Sequence, residues 1–252
     1  MSSNSFIDIN CDLGEGSTEQ DCLQDAQIMP FISRCNIACG GHAGNDLTMT
    51  LSLKNSTIHN IKAGIHPGYE DRENFGRVSL KQPIDVLIDS LNNQIKRLTA
   101  IAQEQRVILH HIKFHGALYN DIEQQVELAD ALSNFLFQQY PLYTVIGLAG
   151  GLFEEYCTTK GLTFISEGFI DRRYKANGKL TPRSEEGAVI VDQSKSLTQA
   201  KALALGTEIE TSDQQLISPV VKTLCLHGDN PNAVVIAQAL SNSLKDSGIS
   251  IL

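Results

Sequence analysis

The sequence lacks tryptophan, any run of basic residues and any long apolar stretch. A membrane-spanning helix needs about 18 or more consecutive apolar residues, so no span is predicted. The N-terminal residues also lack the positively charged region and following apolar stretch of a secretory signal. We therefore expect a cytoplasmic protein with no membrane partner.

Positive charge is scarce as well. The 20 Lys and Arg residues stand against 29 Asp and Glu residues, which gives a formal net charge of −9. Nucleic acids and anionic membranes attract dense Lys/Arg patches, so the charge balance argues against both as main partners. We expect a small-molecule substrate, and self-association into a homo-oligomer stays open.

Cysteines are few, and several common catalytic signatures are missing. The six cysteines are scattered, and several lie in apolar runs where a thiol packs as a small hydrophobic group, so no disulfide scaffold is predicted. The sequence contains no GxxxxGK[ST] loop, GxGxxG fingerprint, GxSxG elbow or HExxH pair. A nucleotide, if used, is therefore bound in another way or with the help of another polypeptide.

Short strand-like runs alternate with longer helical patterns along the 252 residues, which is typical of βα units and a parallel sheet. Strands are predicted at 6–13, 35–39, 63–66, 107–115, 143–148, 163–169 and 221–227. Helices are predicted at 46–61, 83–105, 123–139, 153–160, 196–205 and 232–247. The strands can form an open doubly wound sheet or close into a barrel, and both architectures bind ligands at the carboxyl ends of the strands. We expect one domain over residues 1–252, with an excursion over the mouth at 172–193 that contains a short strand at 188–191.

Histidine is the most informative residue type, because four of the seven lie where an apolar run breaks into glycine. They are His42, His66, His115 and His227. Imidazole titrates nearest neutral pH and is the commonest metal ligand. One such histidine is more often a surface or core residue, but the repetition predicts one pocket at successive strand ends. Asp229 follows His227 by two residues and is expected to share its face.

Carboxylates lie at the ends of two predicted strands. Asp12 and Glu15 lie at the end of the first strand, where they can bind a cation, act as a base, hold a substrate ammonium or cap the next helix. Glu167 and the Asp171–Arg172 pair follow the sixth strand and can project into the same mouth, although such a pair is often a solvated surface feature.

Two charged groups on the fourth predicted strand share a face. Lys113 and His115 are two residues apart, so both can enter the pocket, with His111 one layer deeper and His110 on the opposite side. A lysine inside a strand is costly unless it meets an anion, so a phosphate or carboxylate partner is expected.

Taken in order, seven motifs resemble those of the LamB/YcsF family. They are Asn10–Glu15 (NCDLGE), Asn36–Gly44 (NIACGGHAG), His66–Tyr69 (HPGY), Phe75–Arg77 (FGR), Lys113–Asn120 (KFHGALYN), Asp171–Tyr174 (DRRY) and His227–Asp229 (HGD). The resemblance implies a seven-stranded (β/α) barrel of the glycoside hydrolase/deacetylase type. It also implies the A subunit of 5-oxoprolinase, which acts with subunits B and C to hydrolyse 5-oxo-L-proline to L-glutamate. The implied cofactors are ATP and a divalent cation, Mg²⁺ bound with the nucleotide, and ADP and phosphate are released.

This chemistry assigns roles to the motif residues. A lactam is a poor electrophile, so its oxygen is expected to be phosphorylated before water attacks and phosphate leaves, which requires cations, a base and an acid. The catalytic candidates are Asp12, His66, Lys113, His115 and His227. The candidates for binding substrate or nucleotide are Glu15, His42, Glu167, Asp171, Arg172 and Asp229. The candidate ligands of a directly bound metal are Asp12, His42 and His66.

Three positions depart from the family pattern: Gly41 where phenylalanine is common, Asn45 where aspartate is usual, and Phe114 where proline precedes the histidine. These departures bear on substrate fit and on any cation site that uses position 45. Two other functions stay open. One is a metal-dependent amidase or deacetylase that needs no ATP, and the other is a non-catalytic subunit that presents substrate to its partners.

Overall fold

A computed structural model describes residues 5–228 and 232–252 of the chain. The strands are β1 Ser5–Leu13, β2 Arg34–Ala38, β3 Lys62–His66, β4 Leu109–Lys113, β5 Thr144–Leu148, β6 Phe164–Phe169, β7 Ile209–Glu210, β8 Leu216–Ile217, β9 Thr223–His227 and β10 Ile249–Ile251. The helices are α1 Glu19–Ala26, α2 Asp46–Ile58, α3 Ile84–Glu104, α4 Gly116–Ile122, α5 Val126–Gln139, α6 Leu152–Thr159, α7 Gln193–Leu205 and α8 Ala233–Asp246, with a 3₁₀ turn at Met29–Phe31.

Seven parallel strands close into a barrel. Strands β1 to β6 pair in sequence order, β6 pairs with β9, and β9 pairs with β1. This closure decides between the two architectures that the sequence leaves open and confirms the predicted (β/α) barrel. Outside the barrel, β10 extends the start of β1, and β7 and β8 form a small antiparallel hairpin.

The inside of the barrel is polar, as the alternation along β1 shows. Ile7, Ile9, Cys11 and Leu13 belong to the buried apolar core. The alternate residues Asp8, Asn10 and Asp12 are also buried, and they bond to side chains of other strands. Because successive strand side chains point to opposite faces, the apolar set packs under the helices and the polar set fills the barrel.

The helices cover the barrel with apolar stripes. In α3 the buried positions recur at helical spacing: Leu87, Leu91, Gln94, Ile95, Leu98 and Ala102. Asn45 is the N-cap of α2, and its side chain accepts a hydrogen bond from the backbone N–H of Thr48 in a capping box.

The seven predicted strands are confirmed, with changes at their ends. The prediction of 107–115 is too long, because β4 ends at Lys113 and His115 is the N-cap of α4. The predicted helix 46–61 ends at Ile58, since Asn60 takes a positive φ of 53°. The strand predicted at 188–191 is wrong: within it only an isolated bridge joins Val189 to Arg172.

Several short elements escape the sequence pattern, notably α1, α4 and β10. They have too few residues for an apolar periodicity to be recognised. Within residues 5–228 and 232–252, no helix is both long and apolar enough to cross a membrane.

Candidate functional site

A cavity of about 350 Å³ opens at the carboxyl ends of the barrel strands. Six of the predicted site residues line it: Asp12, His66, Lys113, His115, Arg172 and His227. Asp12, His66, Lys113 and His227 lie at the ends of β1, β3, β4 and β9, and His115 and Arg172 lie in the segments after β4 and β6. Parallel strands of one barrel bring these positions together.

Lys113 is the charged centre of the cavity floor. Its Nζ lies 3.0 Å from Asp12 Oδ1 and 2.9 Å from Glu167 Oε1, and it also donates to Asn10 Oδ1 at 3.1 Å. Burial by itself lowers the pKa of Lys113, but the neighbouring Asp12 and Glu167 carboxylates outweigh it and hold the pKa well above its usual value. The lysine is therefore a cation whose charge the protein itself neutralises.

Asn36 and His111 hold the Asp12 carboxylate of this floor in place from below. Asn36 Nδ2 donates to Asp12 Oδ1 at 2.7 Å, and Asn36 Oδ1 lies 2.7 Å from His111 Nε2. His111 fits inside the barrel because Gly64 faces it, and a Cβ on Gly64 would lie 2.1 Å from the His111 ring. The exposed His110 points outward, as predicted.

Two histidines above the floor direct bare ring nitrogens at each other. His66 Nδ1 lies 2.8 Å from the Lys113 carbonyl, and His115 Nε2 lies 2.9 Å from the Phe75 carbonyl. A carbonyl only accepts, so each of these nitrogens carries the hydrogen. When each ring carries only this hydrogen, His66 Nε2 and His115 Nδ1, which are 3.0 Å apart, present lone pairs to each other.

His42 and Glu15 complete this cluster. The His42 ring stacks on His115 at 3.6 Å between centroids, and its Nε2 lies 3.2 Å from Glu15 Oε1. Burial and the nearby His115 and His66 lower the pKa of His42 well below its usual value. The stacked His42 and His115 rings are therefore neutral, and the second nitrogen of His42, Nδ1, has no hydrogen-bond partner among the described residues.

The cluster suits a divalent transition metal. One ligand atom each from Glu15, His42, His66 and His115 lies within 4.8 Å of the others. Three imidazoles and one carboxylate favour zinc or a similar ion over Mg²⁺. A cation between two unprotonated nitrogens would be coordinated by the lone pairs of both.

A second group of ligand atoms, from Asp12, Cys225 and His227, fits a cation less well. The Lys113 ammonium donates to Cys225 Sγ at 3.2 Å, and burial raises the pKa of this thiol well above its usual value. An adjacent ammonium repels a cation. Of the predicted metal ligands, His42 and His66 therefore lie in the favourable cluster, and Asp12 lies beside it with Oδ2 3.4 Å from His66 Nε2.

His227 forms a carboxylate–imidazole pair on the other side of the cavity. Its Nδ1 lies 2.8 Å from Asp171 Oδ2. Burial lowers the pKa of His227, but the Asp171 carboxylate outweighs it and the net pKa is raised. Burial and the nearby His66 instead lower the pKa of His115 to about 3. One cavity thus holds a neutral imidazole and one biased towards its cationic form.

The remaining predicted residues lie around the cavity. Glu167 is fully buried beneath it, Glu15 lines an adjoining cavity of about 180 Å³, and Asp171 lines a third cavity behind His227. His42 lies behind His115. Asp229 is outside the described residues.

The three departures from the family pattern have local explanations. A Cβ at Gly41 would lie 2.4 Å from Gln94 Oε1, so the Gln94 side chain occupies that space. Asn45 caps α2, which gives position 45 a structural role. Phe114 is buried and packs on Phe153 with 5.8 Å between ring centroids.

The cavity residues without a predicted role include Arg77, Tyr119 and Arg183. Arg77 and Tyr119 fall inside quoted motifs, which is a signal that could have identified them. Arg183 lies in the predicted excursion over the mouth, where the sequence offers no pattern.

Comparisons with known proteins agree with the architecture. The sequence model of the LamB/YcsF family matches residues 7–252. The lactam utilization protein from Thermus thermophilus superposes with a TM-score of 0.89 and 30% identity, covering 98% of both chains. A GH113 β-1,4-mannanase, at a TM-score of 0.51 and 10% identity, covers 96% of this chain and 99% of its own. A truncated 3-deoxy-D-arabino-heptulosonate 7-phosphate synthase from Thermotoga maritima, at 0.50 and 7%, covers 99% of this chain and 90% of its own. The last two share the fold alone.

Proposed function

The chain belongs to the LamB/YcsF family, and from this membership we propose that it hydrolyses the lactam 5-oxo-L-proline to L-glutamate as the A subunit of an ATP-dependent 5-oxoprolinase. The observation that carries the proposal is the 30% identity to a lactam utilization protein over 98% of both chains. The cavity adds an acid and a base at one site.

In the proposed reaction the γ-phosphoryl group of ATP is transferred to the lactam oxygen, and ADP leaves. Water adds to the activated carbon and loses a proton. The C–N bond then breaks as a proton passes to nitrogen, and a second water hydrolyses the resulting acyl phosphate to glutamate and phosphate. The protein must therefore supply a proton acceptor for water and a proton donor for nitrogen.

We assign the two proton transfers to the two imidazoles with opposite pKa shifts. His115 is neutral, because its pKa is lowered to about 3. A proton acceptor works best with a pKa near the operating pH, so the role of His115 towards water requires its pKa to rise when substrate and nucleotide bind. His227, held by Asp171 at Nδ1, keeps its Nε2–H to give to the departing nitrogen. Arg172 orients anionic groups, whereas Lys113, predicted for the same task, is already paired with Asp12 and Glu167 and fixes the cavity floor.

The test is glutamate release from 5-oxoproline with ATP and Mg²⁺. We expect little or no turnover by the chain alone, and turnover when subunits B and C are added, because the sequence offers no nucleotide-binding loop of its own. His115→Ala should lower the restored rate about 100-fold or more.

His59→Asn is the matched control, because His59 lies at the end of α2, away from the cavity. Near-normal turnover of the His115→Ala complex would remove His115 from proton transfer. Full activity of the chain alone would contradict the shared organisation, and a complete complex that releases no glutamate would contradict the substrate.

The cluster of Glu15, His42, His66 and His115 favours one second candidate, a metal-dependent amide hydrolase that needs no ATP. A bound metal would polarise the amide carbonyl and lower the pKa of a water molecule. In that function His66 and His115 act as ligands, and His227 is left as the proton donor. ATP-independent amide hydrolysis by the chain alone, abolished by a chelator and restored by Zn²⁺, would select this candidate. Chelator-insensitive, ATP-dependent turnover would reject it.

A further inference from the structure

Two arginines form a cationic wall on one side of the cavity. Arg172 and Arg183 both line it, and both lie on the segment between β6 and α7. Arg172 is only 4% exposed, whereas Arg183 is exposed. A buried guanidinium beside a second one is electrostatically unfavourable unless an anion lies close to both.

The protein satisfies Arg172 only in part. Its Nη2 donates to the Thr181 carbonyl at 2.7 Å, while its buried Nε has no hydrogen-bond partner among the described residues. Burial and the Arg183 charge lower the pKa of Arg172 to about 10, because the two positive charges repel each other. The adjacent Asp171 carboxylate attracts both guanidinium groups, but its hydrogen bond, through Oδ2 at 2.8 Å, goes to His227.

The carboxylates in the cavity wall are already bonded elsewhere. Asp12 Oδ1 binds Lys113 at 3.0 Å. Asp121 accepts hydrogen bonds from Tyr69 Oη at 2.9 Å and from Ser79 Oγ at 2.8 Å. Lys113 is neutralised within the floor, whereas the described contacts give the Arg172 and Arg183 pair no carboxylate bonded between them.

We propose that Arg172 and Arg183 form a subsite for the carboxylate of the substrate. The reacting amide then lies towards His66 and His115, and the acidic group lies towards the two guanidinium groups. This assignment rests on the proposed function, because it takes the substrate to be a small amide that bears a carboxylate. A cavity of about 350 Å³ suits a ligand of this size.

The assignment makes Arg183 a specificity-determining residue. Planar guanidinium groups bind carboxylates through paired charge-assisted hydrogen bonds. A lactam without a carboxylate gains nothing from this pair, so the arginines should discriminate between acidic and neutral lactams.

The experiment is calorimetric titration of the isolated chain with three ligands. These are 5-oxo-L-proline, 2-pyrrolidinone, which has the same ring without the carboxylate, and inorganic phosphate. The variants are Arg183→Ala, at an exposed position, and Arg172→Lys, which keeps the buried charge but loses the planar guanidinium. Arg173→Ala removes the same charge from the neighbouring position and is the control.

We expect both variants to bind 5-oxoproline about 10-fold to 100-fold more weakly, the scale of a lost hydrogen bond to a charged group. Binding of 2-pyrrolidinone should be weak and unchanged, and Arg173→Ala should bind like the wild type. Circular dichroism of each variant verifies folding, and Arg183→Ala tests the subsite even if Arg172→Lys does not fold.

Other outcomes overturn the assignment. Unchanged 5-oxoproline affinity in Arg183→Ala removes the subsite and leaves the proposed function standing. Loss of phosphate binding alone makes the anion a phosphoryl group rather than a carboxylate. A wild-type chain that binds none of the anions contradicts the subsite.

A fourth ligand, N-acetylglycine, separates the two proposals. Arg183-dependent binding of this acyclic, carboxylated amide without binding of 5-oxoproline would reject the proposed lactam substrate and keep the carboxylate subsite.

Discussion

At the scale of single residues, the site depends on charges that the barrel neutralises internally. Lys113, Asp12 and Glu167 come from three strands and are all almost completely shielded from water. Each of these ions would be strongly destabilising alone, because a buried charge loses its hydration. The Lys113 ammonium is therefore a structural requirement of the cavity floor as well as a candidate functional group.

Replacing this ammonium should destabilise the protein strongly. We expect Lys113→Met to lower the free energy of unfolding by about 3–5 kcal/mol, because two buried carboxylates lose their partner. Urea denaturation measures the change. Lys54→Met, at an exposed position of α2, should change stability by no more than about 0.5 kcal/mol. Equal stabilities of the two variants would contradict the buried ion network.

The Asp171 carboxylate should control the charge of His227. Asp171→Asn keeps the shape but removes the anion, so the pKa of His227 should fall, since burial is the largest effect that remains. The charges of Asp12, which raises this pKa, and of Lys113, which lowers it, stay in both proteins, so the change reports the loss of the Asp171 anion. An NMR titration of the imidazole resonances measures this. Asp130→Asn, which removes a carboxylate paired with Lys160, is the control. An unchanged His227 pKa in Asp171→Asn would show that the ion pair does not set it.

At the scale of elements, the ends of strands and helices position the histidines. His115 leaves β4 and caps α4, and its backbone N–H donates to the Pro67 carbonyl at 2.9 Å. The next residue, Gly116, has a φ of 57°, and a Cβ there would lie 2.5 Å from the Gly76 carbonyl oxygen. This turn holds the His115 ring against His42.

A methyl group at this turn should be costly. We expect Gly116→Ala to destabilise the protein by about 1–3 kcal/mol, through the positive φ and the backbone clash, and to weaken any function of His115. Gly150→Ala is the matched control, since Gly150 has a φ of 68° with nothing within 4 Å of the added Cβ. Thermal and urea unfolding compare the two. If the control loses as much stability, the contact with Gly76 contributes nothing.

A buried acid, Glu123, contacts the start of α6 and should make stability depend on pH. Glu123 accepts a hydrogen bond from the Leu152 N–H at 2.6 Å, yet burial raises its pKa to about 7. The folded state then holds this proton more tightly than the unfolded state, whose glutamate titrates at about 4.3. The contribution of the raised pKa to the free energy of unfolding is therefore complete below about pH 4. It is lost as the pH rises to about 7, by up to about 1.4 kcal/mol for each pH unit.

Glu123→Gln should remove this dependence. Between pH 5 and pH 8, the free energy of unfolding of the wild type should fall relative to that of the variant. Urea denaturation at each pH measures both. Glu127→Gln, at an exposed position of α5, should show no such trend. Parallel stability curves for wild type and Glu123→Gln would contradict the raised pKa.

At the scale of the whole molecule, a metal held by residues from four successive βα units should stabilise the complete barrel. The cluster joins the end of β3 to the segments after β1, β2 and β4, so an ion that binds there binds only the folded chain. The free energy of unfolding then rises with the logarithm of the ratio of free ion concentration to dissociation constant. It rises by about 4 kcal/mol when the concentration is 1,000 times the dissociation constant.

Thermal unfolding with added Zn²⁺ measures this linkage. The second candidate function, in which His66 and His115 are ligands, requires a higher midpoint with Zn²⁺, reversal by EDTA, and no shift in His66→Asn or His115→Asn. His59→Asn should respond like the wild type. An equal Zn²⁺ response in all variants would place the ion elsewhere.

Most strand positions, and the side chains that leave the barrel at its carboxyl end, follow from the amino-acid sequence alone. These are local properties, because apolar alternation and glycine breaks act within a few residues. The sequence therefore identified Asp12, His66, His115 and His227 as neighbours, but it extended β4 too far and missed Arg183.

Closure of the sheet, the partners of Lys113 and the ring nitrogens that each histidine leaves bare are set by the folded structure. Lys113 meets Asp12 across 101 residues of sequence, and His66 takes its hydrogen-bond direction from a carbonyl 47 residues away. Charge states and tautomers depend on distances of about 3 Å between groups remote in the chain, and no local pattern encodes those distances.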